Sequence, residues 1–174
     1  GNTFVFTKEQ GEQIPFETGS FVCESSKSRD GPIFGTLSSA RTKEGGTRYF
    51  VQAEARAQPS HLLHEFLEGN QVKELTFNRL HDTVYLVQEV RRFQDVGKFV
   101  ISWFFKITEN ELVLYINDKR QELRLREKFP HDGWGDTTEI LEGPKEAQLK
   151  LLTLIAREAE ALFTPLATCK RAGT

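Results

Sequence analysis

The 174 residues contain no methionine and only two cysteines. Because Met is missing even at position 1, Gly1 reads as a tag or processing scar, and a segment upstream of Asn2 is expected to have been removed. An initiator residue, a signal peptide or a membrane anchor would each leave this end. That expectation favours a periplasmic or secreted origin. The two cysteines form no CxxC and no Cys/His zinc spacing, which argues against a structural zinc site. No apolar run reaches the ~18 residues of a membrane-spanning helix. The longest, Phe99 to Ile107, is interrupted by Ser102 and Lys106. Excess charge of either sign is lacking too: 23 basic against 25 acidic side chains give a net −2. Composition therefore offers no electrostatic footprint for nucleic acid. There is no Walker loop, no G-x-G-x-x-G and no G-x-S-x-G, so no cofactor is expected and no hydrolase elbow is present. Internal repeats and low-complexity stretches are absent as well.

What is present is a chain of ordinary globular composition, 38% hydrophobic and 28% charged, with 14 phenylalanines. A chain of this size buries roughly two-thirds of its unfolded surface and needs neither metal nor disulfide to fold. It divides into a single α+β domain over residues 2–166 and a frayed tail over 167–174. Cys23 and Cys169 lie near opposite ends. They are either a disulfide tying the tail to an early strand, worth about 4–5 kcal/mol in the loop-entropy model, or two unrelated thiols.

Alternating apolar residues predict short strands at 3–7, 20–24, 33–40 and 47–57, with Gly45-Gly46 supplying the positive φ of a hairpin. Ser60 can cap a two-turn helix carrying Leu62, Leu63, Phe66 and Leu67. Five further strands follow, at 72–80, 83–93, 98–108, 111–117 and 121–128. Breaks of two to four residues separate them, too short for parallel crossovers, so they form an antiparallel meander. Phe99 to Ile107 is apolar on both faces, which predicts a central strand covered on both sides. Gly143-Pro144 then opens a long helix that Pro165 stops. The expected fold is a mainly antiparallel twisted sheet of eight to nine strands with the long C-terminal helix packed on it or gripped by it. The alternative is a closed β-barrel with an outer helix.

Chemistry-bearing residues are sparse. His61 and His64 stand at i, i+3 with Glu65 after them, not the i, i+4 spacing of zinc-enzyme helices. His81-Asp82 and His131-Asp132 are adjacent pairs, but neighbours on a strand point apart, and both also read as turns. If the protein is a hydrolase, its site gathers His81, His131 and Asp132. The segment Pro130-His-Asp-Gly-Trp-Gly-Asp136 is the one compact loop mixing these residue types. Its Trp134 is either an exposed platform, with His131 and Asp136 beside it, or a plug. The sheet itself is rich in rings, Tyr85 and Trp103 among them. Arg91, Arg92, Lys119, Arg120, Arg124, Arg126 and Lys128 cluster late in the chain, interleaved with Glu89, Glu122 and Glu127 as on a solvated face. These features point to a non-catalytic binding or assembly domain. It would contact an apolar small molecule or a protein partner through Trp134, His131, Asp136, Trp103 and Tyr85. A second copy of the chain is one candidate cover for an exposed sheet face.

Overall fold

Eight antiparallel strands, each bonded to the next in sequence, close on themselves in a computed structural model of the chain. It describes residues 5–26, 32–54, 72–93, 97–116, 119–131, 133–134 and 143–173, with backbone alone at 90–93, 97–99 and 119. The strands are β1 (Gly19–Ser25), β2 (Ile33–Arg41), β3 (Thr47–Ala53), β4 (Lys73–His81), β5 (Val84–Phe93), β6 (Gly97–Ile107), β7 (Leu112–Tyr115) and β8 (Pro165–Arg171). Among the described residues, three helices stand between β7 and β8: α1 (Lys119–Lys128), α2 (Lys145–Arg157) and α3 (Ala159–Leu162).

The barrel closes where β1 meets β8. Phe21 pairs with Arg171, Cys23 with Cys169 and Ser25 with Ala167. Residues 167–171, expected as a frayed tail, are thus most of a barrel strand. Without them β1 and β7 would each present an unpaired edge. The expected open sheet gripping a helix is corrected in the same way, because the edges satisfy each other and the helices lie outside.

Alternation along each strand builds an inner and an outer wall. Inward stand Phe21 and Cys23, Leu37, Tyr49 and Val51, Leu75 and Phe77, Tyr85 and Val87, Trp103 and Phe105, and Leu112 and Leu114, all in one buried cluster. On the outer wall Val84, Val113 and Tyr115 are covered by Leu151, Ile155 and Ala156 of α2, while Leu86 meets Leu152 and Val5. Phe163, just after α3, stacks on Phe104 at 5.0 Å between ring centres. This double cover explains the apolar run 99–107: Trp103 and Phe105 face in, Phe104 faces out.

Two segments differ from their expected strands. Residues 121–128 are helical in α1. The buried positions are Gln121 and Leu125, with half-buried Phe129 following, an i, i+4 series, while Leu123 is exposed. The alternation of Leu123 and Leu125 with charges imitated a strand. Of the strand expected at 3–7, the described residues do not form one: 5–6 are a bend, followed by a single 3₁₀ turn at Lys8–Gln10. The helix expected after Ser60 lies outside the described residues.

Candidate functional site

The two ends of the barrel differ, and the difference begins with glycine. Residues 9–16 run across the end that carries the β2–β3, β4–β5 and β6–β7 turns. Thr47 N–H donates to the Gly11 carbonyl (2.9 Å), Glu12 N–H to the Phe77 carbonyl (2.8 Å) and Asn78 Nδ2 to the Gln10 carbonyl (2.8 Å). A Cβ on Gly11 would collide with the Thr47 carbonyl, and one on Gly46 with the backbone of Glu9. Two bare backbones therefore let the strap lie flush on the hairpin. Ile14 N–H donates to Tyr49 Oη (3.0 Å), and Ile14 and Phe16 insert into the inner cluster, Phe16 only 1% exposed. Tyr49 meets Phe77 edge-on at 5.1 Å. Burial pushes the Tyr49 phenol above its ordinary value, against the opposing hydrogen bond from Ile14. This end is sealed.

Midway along the bore lies a cavity of about 20 Å³, walled by Phe21, Cys23, Leu37, Leu75, Phe105 and Cys169 among others. It is large enough for one water, but its lining offers no polar surface to hold one. Cys23 and Cys169 are joined by a disulfide in this wall, their Cα atoms 3.9 Å apart. The Phe21 ring lies over Gly35, leaving no room there for a Cβ.

Toward the other end the inner wall changes character. Ile33 and Ala53 are buried, but Ile101 and Ile116 are only half-buried. Among them stands a charge pair. Lys73 lies two residues before inward-facing Leu75, and Glu89 two after inward-facing Val87, so both follow the inward alternation. Glu89 pairs across the ladder with Leu75 on one side and Ile101 on the other. Lys73 Nζ stands 3.9 Å from Glu89 Oε2, with the side chains 13% and 3% exposed. The connections at this end pass through residues 27–31, 55–71, 94–96 and 117–118, outside the described residues.

The residues singled out from the sequence scatter over the molecule. Trp103 and Tyr85 line the bore. Burial raises the Tyr85 phenol, with Arg79 pulling the other way. Trp134 is on the outside, half-buried against the helical cluster. Its Nε1–H donates to the Phe129 carbonyl at 2.6 Å, and the Arg126 guanidinium stands 5.9 Å from its ring centre. It is a plug between α1 and α2. Its flanking Gly133 lies close against the backbone of Ala147 and Gln148, where a Cβ would be tightly crowded. His131 Nδ1 accepts from Gly133 N–H at 2.9 Å, which folds the loop on itself. His81 is exposed at the close of β4, and no hydrogen bond or ion pair joins it to His131 among the described residues. Asp132, Asp136, His61 and His64 lie outside the described residues. Among those described, no group of three His, Cys, Asp or Glu comes together as metal ligands, and no helix is long and apolar enough to cross a membrane.

The Lys73–Glu89 pair was not singled out in the sequence, although a signal exists there. In Lys73-x-Leu75-x-Phe77 and Tyr85-x-Val87-x-Glu89 a charge occupies the next inward position of a strand. Comparison with known proteins gives no match: no family model, curated protein or solved structure is similar to this chain.

Proposed function

We propose that the barrel is a non-catalytic cup that takes an apolar small molecule at the end opposite Ile14 and Phe16. The observation that carries this reading is the asymmetry of the bore. One end is stopped by Phe16 and Ile14, and at the other, among the described residues, Ile101 and Ile116 are half-buried beside the Lys73–Glu89 contact. Apolar walls with a few convergent polar groups are the usual make-up of small-ligand sites. The 20 Å³ void means that the bore near its middle is filled by the protein's own rings. The ligand belongs above that layer. An oxidising compartment, periplasmic or extracellular, accords with the Cys23–Cys169 bridge.

The hydrolase alternative gains nothing from the geometry, since the His131 imidazole is engaged by its own loop. A protein partner has one supporting observation. The outer wall of β1 and β2 carries partly exposed Phe34 directly across from Val22. Sedimentation over a range of concentrations tests whether two copies meet there, and a strict monomer removes that version.

The cup is tested with Trp103 as reporter. Trp134 is the only other tryptophan, so Trp134→Phe leaves one indole, on the inner wall. Titration with an apolar probe of ten carbons should shift or quench Trp103 emission with saturation. Native mass spectrometry of freshly purified protein should show a co-purifying mass. Neither shift nor adduct overturns the reading.

A further inference from the structure

We infer that the outer wall of β4 and β5, with the gap between Thr47 and Phe77, is a peptide-binding site, that residues 5–16 fill it as a ligand attached in cis, and that it takes the same residues from a second copy of the chain. The site is independent of any ligand in the bore.

The gap is a break in the ladder. β3 and β4 pair at Val51–Lys73, Phe50–Glu74 and Tyr49–Leu75, and the register stops there. Two residues further on, Thr47 and Phe77 would face each other. Instead one peptide unit of the strap stands between them. Its Gly11 carbonyl accepts from Thr47 N–H, and its Glu12 N–H donates to the Phe77 carbonyl. This is strand addition reduced to a single rung, a mode that draws affinity from main-chain hydrogen bonds and specificity from side-chain pockets. Ile14 and Phe16 fill the pockets, 5% and 1% exposed, while Thr7, Glu9, Gln10 and Gln13 are exposed.

The wall beneath the strap is polar. Gln88 Oε1 accepts from Val5 N–H (2.9 Å), and Gln88 Nε2 donates to the Phe6 carbonyl (3.2 Å). Asn78 Nδ2 reaches the Gln10 carbonyl and the Glu12 carboxylate. Both amides bond main chain and both are buried, as is Thr76 across from Gln88. Under α2 the same outer wall is Val84, Val113 and Tyr115. A cover that never leaves is served as well by apolar partners, because replacing both members of a buried hydrogen bond by apolar groups is nearly neutral or stabilising. Polar side chains instead suit water when the cover lifts. The contrast marks α2 as fixed and the strap as releasable.

The occupant follows from fit. Only glycine passes the gap at position 11, since a Cβ there would stand 2.3 Å from the Thr47 carbonyl oxygen. Ile14 and Phe16 come three and five residues after it, and every copy of the chain carries this spacing. Glu17, paired with Arg171, and Thr18 join the strap to β1, and both are exposed. Gly19 follows at φ +130° with open space around it. Exchange of straps across a two-fold axis repeats each contact and closes the pair.

The experiment uses the full chain with Gly11→Ala, whose own strap cannot seat, and a fluorescent peptide of residues 5–18. By anisotropy the peptide should bind this variant at least tenfold more tightly than the unaltered chain, where the attached strap competes at high effective concentration. A peptide that itself carries Gly11→Ala should bind the variant at least tenfold more weakly. No binding to the variant, equal binding to both chains, or equal binding of both peptides overturns the site. A concentrated mixture of light and heavy-isotope copies of the unaltered chain should give a mixed-mass dimer in native mass spectrometry, and the Gly11→Ala chain should give none. A strict monomer, or a dimer in both, overturns the exchange. If the variant does not fold, amide exchange on the unaltered chain decides. Glu12 and Ile14 should exchange together, at least tenfold faster than the β4–β5 ladder, and protection equal to that ladder overturns the releasable strap.

Discussion

Gly35 shows how little freedom single positions in the bore have. The Phe21 ring occupies the place where its side chain would be. Gly35→Ala must displace that ring or the strand, and should cost about 1–3 kcal/mol, as overpacking does. Urea unfolding will read this as a lowered midpoint with an unchanged slope. The tyrosines make a second residue-scale case. All three in the chain, Tyr49, Tyr85 and Tyr115, are held above the ordinary phenol value of 10.0, in each case first by burial. The folded state therefore keeps protons that the unfolded chain releases. Their contribution to stability is complete below pH 10, where unfolded phenols begin to ionise, and is lost as pH rises through the higher folded values. Near-ultraviolet titration should show the three phenols ionising late and together with loss of the barrel's circular dichroism. Early, independent ionisation in the folded protein would contradict their burial.

At the scale of elements, α2 holds the outer wall through one face. Leu151 is fully buried among Val84, Tyr115 and Phe163, whereas Leu154 on the same helix is 40% exposed. Leu151→Ala should cost about 2–5 kcal/mol, and Leu154→Ala no more than about 0.5 kcal/mol, both by chemical denaturation. The Lys106–Glu160 contact, 2.6 Å from β6 to α3, adds little because Glu160 is largely exposed. The strand meander was legible from sequence because its breaks are short: β4 to β7 fall where alternation and turn residues put them. Two elements were not. In α1 a hydrophobic pair at i, i+2 masked a buried series at i, i+4, since charges fill the positions between. In β8 the sequence after Pro165 is short and mildly polar. Its strand form comes from pairing with β1 and β7, partners distant in sequence that no local pattern reveals. The Lys73–Glu89 pair was hidden for a related reason. Lys73 and Glu89 sit on different strands, and only the register of Leu75 with Glu89 brings them side by side.

For the whole molecule, the bridge between Cys23 and Cys169 spans a sequence separation of 146 and ties the first strand to the last. Loop-closure entropy gives it about 5 kcal/mol, a model-dependent figure. A Cys23→Ser/Cys169→Ser variant should lose most of that in urea unfolding and show greater amide exchange in β1 and β8 than elsewhere. Both cysteines are buried, so a thiol reductant should open the bridge slowly in the folded protein and rapidly in denaturant. Equal rates would mean that the seam opens readily.

Placing the three helices between β7 and β8 also sets the order of events during synthesis. As the chain leaves the ribosome, seven strands can pair in turn, each with the one just made. The eighth arrives only after the segment between Tyr115 and Pro165 has followed. Until then β1 has no partner on one side and the ring-lined bore is a groove open along its length. This barrel is closed by its final strand and locked by a cysteine almost at the end of the given chain. The newborn protein must keep an aromatic interior from water and from its neighbours until that strand has been made.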